Sequence, residues 1–170
     1  MKVSQPNVHV DQLLRQTRVH HVQLSMMADQ KAGLLLTVCA IIIPLTARFL
    51  QNDEFYYTAI SLICFCILTM FLAIYTAMPS IGRTHKIDTS SPSFNCLFFA
   101  DFADLDYDEY TGIIEQVIND PTEVYERQFR EVYLLGKYLA RHKYRFLRYA
   151  YISFISGILV SCIVFTLTRF

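Results

Sequence analysis

Phe55–Met78 reads FYYTAISLICFCILTMFLAIYTAM and contains no Asp, Glu, Lys, Arg or His. A hydrocarbon core about 30 Å thick is crossed by about 20 helical residues at 1.5 Å each. The run is long enough to cross. In lipid the backbone must satisfy its own hydrogen bonds, so the run is expected to be a helix. Two other stretches share the pattern. Ala32–Leu50, AGLLLTVCAIIIPLTARFL, holds one charge, Arg48, near its end, and Tyr149–Thr168, YAYISFISGILVSCIVFTLT, holds none. Pro44 lies inside the first of these, where a kink is tolerated. The expected fold class is an all-α membrane protein with transmembrane helices at 32–50, 55–78 and 149–168.

The chain has 170 residues, enough for one compact unit. Its 15 basic and 15 acidic residues cancel, so no global charge draws it to nucleic acid. The distribution of cations is more informative. Every Lys and Arg except Arg48 and Arg169 falls within Met1–Lys31 or Pro79–Arg148. Positive charge marks the cytoplasmic side, so both segments are expected there, with the C-terminus outside. The first apolar run starts about thirty residues in, and no small-residue cleavage site follows it, so a cleaved signal peptide is not expected. Cys39, Cys64, Cys66 and Cys162 lie in the apolar runs and Cys96 in the middle segment, which is neither a disulfide framework nor a zinc site.

Met1–Lys31 is read as an N-terminal amphipathic helix. Leu14, Thr17, His21, Leu24 and Ala28 recur at steps of three and four, Asp11 is a candidate cap, and neither Pro nor Gly interrupts the path into the first span. Ser80–Ser93 reads as loop. Phe94, Phe98, Phe99 and Phe102 form an aromatic cluster. A short helix is expected from Asp106, with Glu109 completing a capping box and with Tyr107, Tyr110, Ile114 and Val117 as its apolar face. Asp120-Pro121-Thr122-Glu123 is a strong helix start. From there Tyr125, Phe129, Val132, Gly136, Leu139, Lys143, Phe146 and Ala150 continue the period into the third span, an unbroken helix of roughly 70 Å. The 79–148 segment is therefore read as a cytosolic region. With the N-terminal helix it forms a helical cytosolic head continuous with the third span.

Catalytic signatures are missing. No phosphate loop, nucleophile elbow or paired-Cys metal site occurs, so neither an enzyme nor a metal or cofactor is expected. Asp101, Asp104, Asp106, Asp108 and Glu109 lack the spacing and turn Gly of an EF-hand and read as a solvated helix N-terminus. Lys137, Arg141, Lys143, Arg145 and Arg148 crowd the approach to the third span, where they set topology and touch anionic lipid, or contribute to an anion site. Ser153, Gly157 and Ser161 stand four apart on one face of the third span, the spacing that lets helices approach closely in lipid, within one protomer or between protomers. Asp29 and Lys31 mark the first membrane boundary and, two apart, point away from each other.

Several stretches resemble a known family. Ala28-Asp29-Gln30-Lys31-Ala32 opens the first span. Leu97-Phe98-Phe99-Ala100-Asp101-Phe102 is followed by Tyr110. Tyr133-Leu134-Leu135-Gly136-Lys137 and Lys143-Tyr144-Arg145 then lead into a Gly-containing span. In this order and placement the chain is similar to the Pycsar transmembrane effectors, from about Leu13 to Phe165. The resemblance implies antiphage defence at the bacterial inner membrane, with the N-terminus cytoplasmic and the C-terminus periplasmic. A partner cyclase would make cyclic CMP or cyclic UMP, and the effector would respond by impairing the membrane, so that the infected cell stops growing or dies. A homo-oligomer is expected, with the lipid bilayer as partner and no nucleic acid. For such a ligand Arg83 and Lys86 are nominated for the phosphate, and Asn95, Phe98 and Phe99 for the base, on chemistry and not on a family motif. The competing reading of that set is loop solvation plus core aromatics. Two other functions fit three spans. A constitutive channel or transporter subunit would carry polar residues along a pathway, and a membrane anchor would bind a protein partner through its head.

Overall fold

The computed structural model describes residues 7–79, 89, 91 and 94–169. Its elements are helices: α1 (Val8–Ala47), a 3-10 turn (Arg48–Gln51), α2 (Tyr56–Ala77), α3 (Phe99–Phe102), α4 (Tyr107–Asn119), α5 (Pro121–Tyr138), a π-helical turn (Leu139–Tyr144) and α6 (Arg145–Arg169). Among the described residues three helical stretches are long and apolar enough to cross a membrane: Val8–Gln51, Tyr56–Ala77 and Pro121–Arg169. The expected fold class holds. The chain divides into two units, Met1–Gln23 with Pro79–Tyr138, and Leu24–Met78 with Leu139–Phe170.

The second unit is sorted inside out. Most of its buried positions are small: Ala28, Ala32 and Cys39 on α1, Ala59, Cys66, Thr69, Ala73 and Thr76 on α2, and Ala150, Ser153, Gly157 and Ser161 on α6, with Leu35, Leu139 and Leu147 the larger exceptions. Its large apolar side chains, among them Leu34, Ile41, Ile67, Phe71, Ile155, Leu159 and Ile163, face outward. Exposed to water, such a surface would forgo about 25 cal/mol for each Å² left unburied. Lipid removes that penalty, and helices then associate through close van der Waals contact and polar bonds. Those bonds are present between α2 and α6. Ser61 Oγ lies 3.0 Å from Ser161 Oγ. Thr69 Oγ1 lies 3.2 Å from Ser153 Oγ and 2.8 Å from the Phe65 carbonyl of its own helix. Gly157 is required by this approach, because a Cβ there would overlap Phe65 Cβ.

The same unit carries an ion pair where α1 begins its apolar stretch. Lys143 Nζ donates to both Asp29 carboxylate oxygens, at 2.7 and 2.6 Å. Its neighbour Tyr144 donates from its hydroxyl to the Leu24 carbonyl at 3.2 Å. Both residues belong to the π-helical turn, so the helical path into the third span is not a uniform α-helix as its period implied. A π turn fits an extra residue into one winding and rotates the rest of the helix about its axis. Consecutive side chains, Lys143 and Tyr144, can therefore both reach α1. Beyond the turn the buried face runs Leu147, Ala150, Ser153, Gly157 and Ser161, while Phe146 sets its ring 4.4 Å from that of Tyr75.

The first unit has an ordinary apolar core. Phe94, Cys96 and Val117 are buried, with Leu97, Leu105, Ile113, Ile114 and Val124 packed around them. Local details differ from the sequence reading. The cap of α1 is Asn7, whose Oδ1 accepts the His9 N–H at 3.2 Å; Asp11 lies in the first turn and is engaged elsewhere. α4 starts after Asp106 as expected, yet the Asp106 side chain makes no cap bond. As the N-cap residue it still puts a negative charge at the positive end of the helix dipole. Tyr107 is 79% exposed and not on the apolar face; in the first turn of α4 it stands clear of Phe94 and Cys96, and its amphipathic ring stays in solvent. Tyr110 does join the aromatic cluster, 4.7 Å from the Phe102 ring. The Asp120 cap forms, with Oδ1 accepting the Thr122 N–H at 2.8 Å. The expected loop Ser80–Ser93 falls almost wholly outside the described residues.

The contact at Gly157 has a direct consequence. Gly157→Ala drives a methyl into the Phe65 side chain and is expected to lower stability by about 1–3 kcal/mol, the usual range for overpacking. A methyl group at Gly33 would meet no atom within 4 Å, so Gly33→Ala is expected to leave stability unchanged or raise it. Thermal unfolding of the two variants in detergent micelles checks the contrast.

Candidate functional site

The polar unit contains a cleft of about 330 Å³, lined by Asp11, Leu14, Arg15 and Arg18 of α1, by Gln128, Glu131 and Val132 of α5, and by Leu97. Helical spacing explains the lining. Asp11, Leu14, Arg15 and Arg18 lie at steps of three, four and seven, hence on one face. Gln128, Glu131 and Val132 do the same on α5. The two helices run in parallel, since Asp11 meets Tyr125, Arg18 meets Glu131, and His21 lies over Gly136.

Two polar ties bracket the cleft. The Tyr125 hydroxyl donates to Asp11 Oδ1 at 2.7 Å. The Arg18 guanidinium stands 3.1 Å from Glu131 Oε1. Seven residues separate Asp11 from Arg18, about 10 Å along the helix. Between the ties the wall is apolar, with Leu14 buried. Arg15 is exposed and has no ion-pair partner among the described residues. Gln128 is half-buried.

Burial and pairing tune three groups here. The Glu131 side chain is only 11% exposed. Burial pushes its carboxyl above the usual range, and the Arg18 charge pulls part of the way back. The Tyr125 phenol is raised, chiefly because its proton is held by the Asp11 carboxylate. The Cys96 thiol is raised by burial, which the Arg127 guanidinium partly offsets. A buried thiol with raised pKa is a poor nucleophile. Among the described residues no group of three His, Cys, Asp or Glu side chains is placed to hold a metal.

The residues nominated from sequence are dispersed. Arg83 and Lys86 lie outside the described residues. Asn95 is buried, its side-chain carbonyl accepts the Leu97 N–H at 3.1 Å, and its own N–H donates to Asp101 at 2.9 Å. It thus shapes the turn before α3. Phe98 and Phe99 are exposed, 39% and 65%, with ring centres 5.1 Å apart. Ser153, Gly157 and Ser161 lie in the contact of α6 with α2 of the same chain. Of the five cations before the third span, Lys143 pairs with Asp29, Lys137 stands 5.8 Å from the Tyr133 ring centre, and Arg145 donates to the Tyr149 hydroxyl at 3.3 Å. The cleft residues Arg15, Arg18, Gln128 and Glu131 were not singled out by sequence. Their only signal was polar side chains at helical spacing beside an apolar stripe, which every amphipathic helix shows.

Residues 12–169, nearly the whole chain, match the family described as the Pycsar effector protein domain. The chain belongs to the Pycsar effector family. No curated protein and no solved structure matches it. As a Pycsar effector it is an antiphage defence effector, and three apolar helices make it a membrane protein. The family implies a partner cyclase that signals through a cyclic nucleotide.

Glu131 gives this Pycsar effector a pH-dependent element. Below the ordinary glutamate range folded and unfolded chains both hold the proton, and burial costs nothing extra. As pH rises from that range through the elevated folded value, the unfolded chain releases its proton first and stability is lost. Glu131→Gln is expected to remove that loss. Unfolding midpoints measured across the acid range should fall with rising pH more steeply in wild type than in the variant.

Proposed function

We propose that this Pycsar effector is switched by cyclic CMP or cyclic UMP and then impairs the inner membrane, arresting or killing the infected cell. Family membership is the single observation that carries the reading. Three apolar helices and a separate polar unit with a cleft are consistent with a membrane-active part and a sensing part. The cation distribution supports a cytoplasmic N-terminus, a cytoplasmic 79–148 segment and a periplasmic C-terminus. That orientation exposes the polar unit to an intracellular messenger.

The mechanism is a shift between populations. Without nucleotide the chain rests in a harmless arrangement. Nucleotide must bind the damaging arrangement more tightly, because equal affinity would shift nothing. A homo-oligomer supplies the simplest damaging arrangement. The helices of one protomer already bury their small residues on one another, so assembly would proceed through the outward apolar faces or by exchange of the α2–α6 contact.

A constitutive channel fits the structure less well. The buried hydroxyls of Thr69, Ser153 and Ser161 are engaged with other hydroxyls, and Thr76 donates to the Leu72 carbonyl at 2.9 Å. They form helix contacts, with no chain of free polar groups leading across the spans among the described residues.

Dye-filled vesicles carrying the purified protein test the proposal. Leakage is expected on addition of cyclic CMP or cyclic UMP, and not with cyclic AMP or without nucleotide. Leakage at the same rate in every condition would instead identify a constitutive pore.

A further inference from the structure

We propose that the cleft between α1 and α5 is the nucleotide site, with Arg15 holding the phosphate, Gln128 reading the base edge, and Leu14, Leu97 and Val132 covering the sugar and base face. This rests on the nucleotide-switched reading above and names the residues that serve it. It uses neither Arg83 nor Lys86.

The pairing of charged groups within the cleft leaves one guanidinium for a ligand. Two carboxylates line it, and both are engaged: Asp11 accepts from the Tyr125 hydroxyl, and Glu131 is held by Arg18. The carboxyl of Glu131 also keeps its proton more readily than usual, because it is buried. Asp11 keeps its charge four residues from Arg15 but makes no ion pair with it, so the Arg15 guanidinium has no ion-pair partner among the described residues. An exposed guanidinium with no ion pair of its own beside an apolar wall suits a phosphate, which it can grip with two parallel N–H donors.

The remaining chemistry matches a cyclic mononucleotide. Its volume fits a cleft of about 330 Å³, near the lower end of small-molecule sites at about 300–1,000 Å³. The distance between the bracketing ties, about 10 Å along α1, spans a phosphate, a ribose and a pyrimidine. The Gln128 amide offers both a donor and an acceptor, the pair that a pyrimidine edge needs. Ligand between the ties would touch α1 and α5 at once. It would thus couple binding to the two helices that carry the Asp11–Tyr125 and Arg18–Glu131 contacts. A lipid phosphate presents the same anion but no base edge for Gln128.

Equilibrium binding of cyclic CMP and cyclic UMP to the full chain in detergent micelles tests the site, with Arg15→Ala, Gln128→Ala and Arg83→Ala compared with wild type. Arg15 is exposed and has no ion-pair partner among the described residues, so its removal should leave the unfolding midpoint unchanged. Loss of a charge-assisted bond is expected to weaken binding about tenfold or more in Arg15→Ala. Gln128→Ala should weaken it too, Arg83→Ala should bind as wild type, and inorganic phosphate or lipid phosphate alone should not compete. Wild-type affinity in both Arg15→Ala and Gln128→Ala, or loss confined to Arg83→Ala, would overturn the site while leaving nucleotide switching intact. Full competition by inorganic phosphate would overturn base reading and reduce the cleft to a general anion site. Failure of wild type to bind either nucleotide would overturn the switched reading itself.

Discussion

The pair between Asp29 and Lys143 is the constraint around which the membrane-spanning unit is arranged. A carboxylate and an ammonium at the edge of an apolar layer are costly unless each faces the other. Lys143 is 11% exposed and Asp29 41%, so the ammonium depends on its partner more than the carboxylate does. Buried Ala28 and Ala32 flank Asp29 on α1, and Leu147 and Ala150 follow Lys143, all in one apolar cluster with Leu35 and Ala73. Small side chains bring the backbones close enough for a direct, two-oxygen contact. The π-helical turn then places Lys143 and Tyr144 on α1 together. Packing, helix geometry and charge pairing therefore satisfy one requirement.

The two units obey different solvents. In one, Phe94, Cys96 and Val117 gather inside and polar residues remain outside, as the hydrophobic effect in water requires. In the other, alanine, serine, threonine and glycine make up most of the inside, with a few leucines near the ion pair, and most leucine, isoleucine and phenylalanine side chains face outward. Both rules operate along α1, whose residues Leu14 and Ala28 are buried for these separate reasons. One chain thus carries a part packed by the rule of water and a part packed by the rule of lipid.

Much of the fold was legible because its signals are local. The uncharged run Phe55–Met78 and the Asp120-Pro121 start each fix an element without help from distant residues. The inward-facing series Leu14, His21 and Ala28 followed from period alone. The Asp29–Lys143 pair could not be read, because its partners are 114 positions apart and the π-helical turn that joins them breaks the period used to read the helix. Tyr107 was misassigned since helical spacing does not reveal where the core ends. The cleft escaped notice for a similar reason. Arg15 and Gln128 are ordinary polar side chains until α1 and α5 are laid side by side, whereas Asn95, conspicuous in sequence, proves to be committed to its own turn.

The interaction at the base of this account can be measured with a double-mutant cycle. Asp29→Asn, Lys143→Met and the combined variant are prepared, and their unfolding is followed in detergent micelles. Each single change should destabilise, by less than the roughly 3–5 kcal/mol of a fully buried broken pair because Asp29 retains solvent contact. The combined variant should lose less than the sum of the two, with a coupling of about 1 kcal/mol or more. Additive losses, equal within about 0.5 kcal/mol, would contradict the claim that this pair organises the spans.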